Sequence, residues 1–296
     1  MLQIVIGVLL IMTVVFAVVF LKDYMKVYKE QKLEKSNFFA LGAVGAVTNF
    51  FDTLGIGSFA TTTALFKFFH LTADRTIPGT LNVACTIPVV VEAVIFITVI
   101  KVNPVTLIAM LAAATLGAVV GAGFVSKLDE KKVEIAMGSA LIIVALIMLS
   151  GQLHLTPAGG TAIGLTGGAF VIGVVGNFIL GALMTLGIGL YAPCLALVYS
   201  LGMSPKVAFP IMMGSCAFLM TAASTRFVKE GAYDRKASMA ITIFGLVGVL
   251  IAAYIVKTLP LNILIWVVIV VIFYTSILMF RSASKHGTKE PTIETI

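Results

Sequence analysis

The pentapeptide Thr-Leu-Gly-Ile-Gly occurs twice in this chain, at Thr53–Gly57 and again 132 residues later at Thr185–Gly189. Each copy places two glycines inside a hydrophobic stretch and interrupts it. Interruptions at matching positions in two halves of a chain are typical of the substrate site of a transporter. The repeated pentapeptide therefore predicts a duplicated membrane transport protein whose site lies at the two breaks.

The composition predicts a membrane protein. Of all residues, 60% are hydrophobic and only 11% are charged, and the mean hydropathy is +1.12. A helix needs about 20 apolar residues to cross roughly 30 Å of hydrocarbon, and several runs reach about that length without the alternation of a membrane β-barrel. These runs are Leu2–Leu21, Thr76–Ile100, Pro104–Ser126, Val133–Ser150, Pro205–Thr225, Ala237–Val256 and Leu261–Phe280.

The first run is predicted to be a retained N-terminal transmembrane helix. A cleaved secretory signal begins with basic residues and ends at a small-residue cleavage site. Here only Met1-Leu2-Gln3 precedes the apolar run, no clear cleavage site follows it, and a basic segment comes next. The run is therefore expected to remain as a signal-anchor.

Cysteine, histidine and basic residues do not indicate a cofactor or a nucleic-acid partner. The three cysteines lie in apolar segments without Cys-x-x-Cys spacing and the three histidines are scattered, so neither a disulfide framework nor a zinc site is predicted. The net charge is +7, but basic residues in a membrane chain are better explained by orientation. The expected partners are the lipid bilayer and a small anion, with no cofactor, metal or nucleic acid; homo-oligomerisation is left open.

The distribution of Lys and Arg favours two helical hairpins that each enter and leave the membrane on one side. The interrupted segments are Asn37–Phe69 and about Ala169–Leu201. If both are hairpins, the loops that carry 17 of the 20 basic residues lie on one face, and Lys101, Lys206 and Lys257 lie on the other. If both segments crossed instead, two basic loops would move outside, against the positive-inside rule.

The predicted fold is an all-α polytopic membrane protein with an inverted repeat. Each repeat contains a re-entrant helical hairpin and three transmembrane helices, and an extra N-terminal transmembrane helix precedes them. The N-terminus is expected outside the cell membrane and the C-terminus in the cytoplasm. The predicted boundaries are 1–36 for the first helix and a basic linker, 37–150 for the first repeat, 151–281 for the second and 282–296 for a cytoplasmic tail.

Further matches at the same offset support the duplication. Ala64-Leu65 corresponds to Ala196-Leu197, and Pro78 corresponds to Pro210. Both prolines are expected near the start of the crossing helix after each hairpin, where a missing N–H costs nothing. Pro193 is expected in the first turn of the second hairpin's outgoing helix. Both outgoing helices are therefore predicted to start at the tips.

The hairpin tips are predicted to bind an anion. A helix that starts inside the membrane presents unpaired N–H groups and the positive end of its dipole there, and two such tips near the midplane suit a small oxyanion. For any single polar residue, the alternative is that it joins transmembrane helices by hydrogen bonds. The candidate substrate-binding residues are Asn49, Thr53, Gly55, Gly57, Ser58, Thr61, Asn82, Asn177, Thr185, Gly187, Gly189 and Ser215.

Two acidic residues at membrane depth, Asp52 and Glu92, are candidates for proton coupling, because ionisable groups there are costly and usually functional. Asp52 adjoins the first tip; it either takes up a proton during transport or caps the outgoing helix by accepting N–H bonds near Leu54 and Gly55. Glu92 either carries a proton or is a neutral acid hydrogen-bonded between helices. Met184 stands at the position that matches Asp52, so the two halves need not act alike.

The chain resembles the TauE/SafE sulfite-exporter family. The resemblance rests on a Gly-x-x-Gly approach to each break, Gly42–Gly45 and Gly173–Gly176, followed by a short helix, a connector such as Leu201–Ala208 and a new helix. It covers most of the chain. The family implies a membrane transporter of small sulfur-containing anions such as sulfite or organosulfonates, moved outward.

The resemblance also carries over the family's tip motif. Two residues depart from it, since Ser58 and Leu190 stand where a third glycine is common, which leaves the anion role intact but the exact substrate open. The family's tip glycines correspond to Gly55, Gly57, Gly187 and Gly189.

The predicted function is secondary transport by alternating access around the two tips, in the plasma or inner membrane. The chain contains no GxxxxGK[ST] signature for direct use of ATP, so an ion gradient or the membrane potential is expected to drive transport. An anion channel that uses the same tips as a filter is the alternative. An enzyme is not expected, since neither HExxH nor GxSxG occurs.

Overall fold

The computed structural model describes residues 2–73, 76–125, 130–153, 155, 160–184, 189–258 and 260–286. Within these ranges the chain is helical, and the only β pairing is an isolated bridge between Ala162 and Met203. Eleven helices occur there: α1 Leu2–Lys29, α2 Phe38–Thr53, α3 Ser58–Phe68, α4 Ile77–Val99, α5 Pro104–Val125, α6 Glu130–Gln152, α7 Gly167–Met184, α8 Tyr191–Ser200, α9 Pro205–Glu230, α10 Arg235–Thr258 and α11 Leu261–His286.

Each apolar run found in the sequence forms one long helix. Six of the described helices are long and apolar enough to cross a membrane: α1, α4, α7, α9 and the main parts of α10 and α11. The inclusion of α7 differs from the sequence prediction, which treated it as one arm of a hairpin. With 18 residues, α7 is about 27 Å long at 1.5 Å per residue, close to the hydrocarbon thickness.

The first break joins two short helices. α2 has 16 residues and α3 has 11, or about 24 and 17 Å, so neither spans a bilayer alone. The side chain of Asn37 caps α2 by accepting from the amides of Phe39 and Ala40. Between the helices, Gly55 and Gly57 have φ angles of +95° and +86°, in the region that favours glycine. The pentapeptide therefore ends one helix and starts the next.

The second break has the same order of helices. α7 ends at Met184, and α8 begins at Tyr191 with Pro193 in its first turn, as predicted. Thr185 and Gly187 fall in 185–188, outside the described residues. The position expected for Pro210 was wrong: α9 begins at Pro205, so Pro210 lies inside that helix, where a proline removes an intrahelical hydrogen bond.

Two helices form the centre of the molecule. α4 packs on α9. In the most apolar stretch of α9, 83% of the residues are buried, against 17% in that of α1 at the periphery. Around this pair, α2 packs along α10, α7 along α5 and α6 along α11. Small residues allow close contact: a Cβ at Gly248 would overlap the carbonyl oxygen of Ala46, and one at Gly181 would overlap that of Ala114.

Two groups of loop contacts lie at opposite ends of α4. At its first end, the carboxylate of Glu34, between α1 and α2, accepts from the amides of Arg235 and Lys236. Asp234 caps α10 by accepting from the amide of Ala237 at 2.7 Å and also accepts from the Thr72 hydroxyl at 2.8 Å. These three side chains, Glu34, Asp234 and Thr72, are called the α10-cap cluster below.

At the other end of α4, the segment before α7 lies against the segment after α8. The amide of Ser204 donates to the carbonyl of Ala162 at 2.9 Å, and the amide of Ala162 donates to Gly202 at 3.4 Å. The amide of Asn103, just before α5, donates to the carbonyl of Ile163 at 2.8 Å. The start of α7, the end of α8 and the turn between α4 and α5 therefore meet at one level.

Candidate functional site

A partly open cavity of about 60 Å³ lies between the two breaks. It is lined at one side by Gly57 and Ser58, where α3 begins, and at the other by Gly189 and Tyr191, where α8 begins. Helices α4, α9 and α11 complete the wall. The remaining lining residues are Asp52, Ile56, Phe59, Val89, Met184, Leu190, Ala192, Cys216, Met220 and Thr275.

Asp52 caps the start of α3. Its side chain is only 3% exposed, and Oδ1 accepts a hydrogen bond of 2.6 Å from the backbone amide of Ser58. Gly57 at the N-cap position has no side chain to do this. The bond forms at Ser58 and not near Leu54 or Gly55, since those two amides donate to backbone carbonyl oxygens. The carboxyl group of Asp52 therefore occupies the first amide of the outgoing helix.

Glu92, on α4, connects the two breaks. Its side chain is fully buried. Oε1 lies 2.6 Å from the hydroxyl of Thr53, at the end of α2, and Oε2 accepts from the hydroxyl of Tyr191, at the start of α8, at 3.2 Å. A single carboxyl group thus joins the break of the first helix pair to the break of the second.

The hydrogen count at Thr53 leaves two arrangements open. The Thr53 hydroxyl also lies 2.9 Å from the carbonyl oxygen of Asn49. A hydroxyl has one hydrogen, so it donates either to this carbonyl or to Glu92. If it donates to the carbonyl, the 2.6 Å contact with Glu92 requires a proton on the carboxyl group. The network can therefore accommodate Glu92 with or without a proton.

Carboxyl groups and backbone amides determine the electrostatics of the cavity. Among the described residues that line it, none is Lys, Arg or His. Asp52 and Glu92 both lie in this buried region and interact electrostatically. Because a buried charge without a partner is strongly unfavourable, a bound anion would depend on N–H and O–H donors and not on a basic side chain.

The structure brings some predicted residues together at this cavity. Gly57, Ser58, Gly189 and Asp52 line it. Thr53 is connected to the lining residue Tyr191 by two hydrogen bonds, both of them to the Glu92 carboxyl group.

Other predicted residues form contacts outside the cavity wall. The Asn177 amide donates to the carbonyl of Met110 at 2.8 Å and to the Ser215 hydroxyl at 3.1 Å, which joins α7 to α5 and α9. Asn82 and Thr61 bond to backbone carbonyls of their own helices. Asn49 donates to Gly45, one turn earlier, and the position of a Cβ on Gly55 faces Leu195 and Met212.

Sequence reasoning missed several lining residues. Tyr191 is the second residue after the second pentapeptide. A phenol hydroxyl at that place in an apolar stretch was a usable signal for a residue of the site. Thr275, on α11, has a buried hydroxyl oxygen without a hydrogen-bond partner; nothing in the apolar run around it marks it. Met184, Cys216 and Met220 add sulfur atoms to the wall, with Cys216 Sγ 3.7 Å from Met184 Sδ.

A second cavity, of about 490 Å³, is lined by the α10-cap cluster together with His70 and Tyr233. It is larger but more open to the surroundings, and its carboxylates already accept hydrogen bonds from the start of α10. We therefore place the candidate site at the smaller cavity, where both breaks meet.

Comparison with known proteins assigns the chain to a family. It matches the sulfite exporter TauE/SafE family over residues 1–148 and 152–295. No curated protein and no solved structure matches it significantly. The family match includes both breaks and nearly every residue of the described helices, and the chain therefore belongs to the TauE/SafE family of sulfite exporters.

Proposed function

We propose that this multi-pass membrane protein is a secondary transporter that exports a small sulfur-containing oxyanion, such as sulfite or a short organosulfonate. The observation that carries the proposal is the cavity where the beginnings of α3 and α8 face each other. Helix beginnings inside a membrane are where transporters commonly hold anionic groups. Family membership supports the same class of solute.

Donors at the cavity suit oxygen atoms with negative charge. The Ser58 amide is the first amide of α3, and it already donates a hydrogen bond to Asp52. The Ser58 hydroxyl makes a long contact of 3.7 Å with Cys85 Sγ and also interacts with the Asp52 carboxyl group, and the Thr275 hydroxyl is buried without a hydrogen-bond partner. Each can donate to an oxyanion, and charge-assisted bonds of this kind are stronger than neutral ones.

The cavity volume limits the size of the solute. A cavity needs about 10–15 Å³ to hold one water molecule. The 60 Å³ of this cavity therefore accommodates about four to six atoms of the size of a water oxygen. A small oxyanion fits this volume, whereas a nucleotide or a sugar phosphate is too large. The affinity for a sulfonate is therefore expected to fall steeply as its organic part grows.

The packing supports an inverted repeat over 37–150 and 151–281. If the first repeat is α2–α6 and the second α7–α11, exchanging them turns the α2–α10 contact into the α7–α5 contact, while the α4–α9 and α6–α11 contacts map onto themselves. The loop contacts follow the same exchange, because Asp234 caps α10 and the Asn103 side chain caps α5.

The ends of each short-helix pair support re-entrant hairpins. Ser36, before α2, and Leu71, after α3, line the same cavity at one end of α4. Ala162, before α7, pairs with Met203, after α8, at the other end. Each pair thus begins and ends at one level, although α7 alone is long enough to cross. With the basic loops inside, this arrangement gives an external N-terminus and a cytoplasmic C-terminus.

Alternating access is the proposed mechanism, with Asp52 and Glu92 as the proton carriers. Rocking of one repeat against the other would open the cavity to each side in turn. A carrier is preferred to the channel alternative because the cavity is small and much of its wall consists of apolar side chains such as Phe59 and Leu190, whereas a hydrated pore is lined mainly by polar groups.

Flux into proteoliposomes tests the proposal. Purified protein should give slow, saturable uptake of sulfite, with competition from short sulfonates and none from long-chain sulfonates. Channel-sized conductance would contradict the carrier mechanism. Absence of both flux and binding for sulfite, sulfate, thiosulfate and short sulfonates would remove the proposed substrate class.

A further inference from the structure

The first amide of α3 is already occupied by a carboxyl group of the same chain. Asp52 Oδ1 lies 2.6 Å from the Ser58 nitrogen, which is the place that an oxyanion would take at this helix beginning. Resting on the proposed function, we infer that Asp52 is an internal competitor of the substrate: the anion displaces it from the Ser58 amide, and the displaced carboxylate takes up one proton from solvent.

Displacement follows from the number of hydrogens. The Ser58 amide has one hydrogen and already donates it over a short distance. The cavity of 60 Å³ adjoins both groups, so an oxyanion that enters it competes for the same hydrogen. Asp52 has to turn away from Ser58 for the substrate to gain this bond.

Proton uptake follows from the groups that face Asp52. Electrostatic partners of Asp52 are Cys85 and Glu92 on α4, Tyr191 on α8 and Cys216 on α9. Each of these groups is neutral or negative, and none can balance a charge on Asp52. Once the anion is bound, the site would hold two unbalanced negative charges, one on the anion and one on the displaced Asp52 carboxylate. Both cannot persist in a buried site, so one of the two groups gains a proton.

The other two helices packed on α2 are α10 and α3, and their basic residues lie near the helix ends. On α10, Arg235 and Lys236 begin the helix and Lys257 is its next-to-last residue. On α3, Lys67 is the next-to-last residue, at the end opposite Ser58. The end of α2 lies beside the middle of α10 and the beginning of α3, so no basic residue of either helix is placed next to Asp52 in the described structure.

The charges balance for a monovalent anion. Before binding, Asp52 carries one negative charge and donates nothing. After binding, the anion accepts the Ser58 hydrogen, and the Asp52 carboxylate has gained a hydrogen ion to become a neutral carboxylic acid. The charge of the site is unchanged, and one anion moves together with one hydrogen ion. Transport of such an anion should then be electroneutral and insensitive to membrane voltage.

Calorimetry of the purified full-length protein tests this coupling with methanesulfonate, whose charge stays constant from pH 5 to 9. Titrations in buffers with different ionisation heats count the protons taken up. We expect close to one proton per anion, and a Kd that rises about tenfold per pH unit on the alkaline side. Asp52→Asn should take up almost none and bind with a Kd that does not change with pH.

Two further variants make the result specific. Glu92→Gln tells the two acids apart, because loss of the proton uptake in this variant would assign the proton to Glu92 instead of Asp52. Glu230→Gln, at an exposed acid near the end of α9, is the matched control and should behave like the natural protein. Binding without proton uptake would overturn the role of Asp52 and leave the anion site standing, and so would uptake that persists in Asp52→Asn.

If neither methanesulfonate nor sulfite binds at any pH, the anion site itself fails, and the coupling fails with it. Should Asp52→Asn fail to fold, the proton count of the natural protein and its Glu92→Gln variant still decides the question.

Discussion

At the scale of residues, the Thr53 hydroxyl lies at one end of the chain of hydrogen bonds that joins the two halves. Its oxygen lies between the Asn49 carbonyl and the Glu92 carboxyl group, and Glu92 continues to Tyr191 of the second pair. Every member of this chain of bonds is at least nine-tenths buried. Buried networks of this kind fix positions because an unsatisfied member costs more than a satisfied one contributes.

Replacement of Thr53 by Val should therefore destabilise the protein. Val keeps the shape but removes the hydroxyl next to Glu92, and leaving a buried polar group without its partner costs about 1–3 kcal/mol. Thr53→Ser keeps the hydroxyl and should restore most of the loss. Thermal unfolding of both variants in detergent measures this; equal midpoints for the Val and Ser variants would show that the hydroxyl bond contributes nothing.

Gly57→Leu should abolish anion binding while the protein still inserts. A Cβ at Gly57 meets no atom within 4 Å, so a larger side chain would extend into the cavity that Gly57 lines. Gly189→Leu should act in the same way, since its Cβ position is also open. Ligand-induced thermal shifts with sulfite measure the effect.

The matched control for these two variants is Gly167→Leu. Like Gly57, Gly167 has a positive φ, of +57°, and like both glycines it has open space around its Cβ position, but it lies at the start of α7. It should show comparable backbone strain with normal binding. Normal binding in both Gly57→Leu and Gly189→Leu would remove the two breaks from the site.

At the scale of elements, the sequence predicts the long helices well because one physical quantity decides them. Continuous apolar runs such as Pro104–Ser126 become helices since backbone groups in lipid must bond internally, and α5 starts at the predicted Pro104. The glycines of the first pentapeptide end α2 as predicted. Pro210 was misplaced because Pro205, five residues earlier, is the residue that begins α9.

The wall of the site was harder to predict than the helices. Thr275 and Cys216 reach the cavity only because α11 and α9 pack beside the two breaks, and no local pattern encodes that contact. Glu92 was recognisable as a costly residue in an apolar helix, but its two partners come from segments 39 and 99 residues away. Such distant pairings depend on the whole packing arrangement.

Gly248→Ala should weaken the contact between α2 and α10. The added methyl group would overlap the Ala46 carbonyl oxygen, and overpacking typically costs about 1–3 kcal/mol. Gly7→Ala is the matched control: a Cβ there meets nothing within 4 Å, and alanine favours helix by up to about 1 kcal/mol. Thermal unfolding should therefore separate the two variants in opposite directions, and equal midpoints would contradict the close contact.

The α10-cap cluster predicts a pH dependence of stability. Burial raises the pKa of Asp234 above its ordinary value, against the opposing effect of hydrogen bonds from Ala237 and Thr72; Glu34 raises it further. A raised folded-state pKa means that the contribution of this group to stability is full below the ordinary pKa of about 3.9 and is lost as the pH rises through the raised value.

Asp234→Asn should therefore gain stability relative to the natural protein as the pH rises across this range. Midpoints of thermal unfolding measured from about pH 4 to 8 check it. A constant difference between the two proteins would show that the Asp234 carboxylate has the same pKa in the folded and unfolded states.

At the scale of the whole molecule, the proposed arrangement of two re-entrant hairpins around α4 and α9 determines which side of the membrane each loop faces. Labelling of single cysteines placed at Lys32 and His70, in a background without the three buried cysteines, tests the first hairpin. Both positions are exposed and should react with an impermeant reagent from the cytoplasmic side only. Reaction from opposite sides would show that α2 and α3 together cross the membrane.

The matched pair for the second hairpin is Thr161 and Ser200, which are also exposed. Both should react from outside. If they reacted from opposite faces, α7 would be a full crossing without a returning partner, and the inverted repeat would fail.

The contact between Ala162 and Met203 gives the molecule unequal stiffness. On that face, main-chain atoms on either side of the second hairpin are bonded to each other, and main-chain bonds do not depend on which side chains are present. On the opposite face, side chains such as Glu34 and Thr72 hold the corresponding segments. Evolution can adjust the second kind of attachment by single substitutions, so relatives of this protein are expected to differ chiefly in the loops of that face.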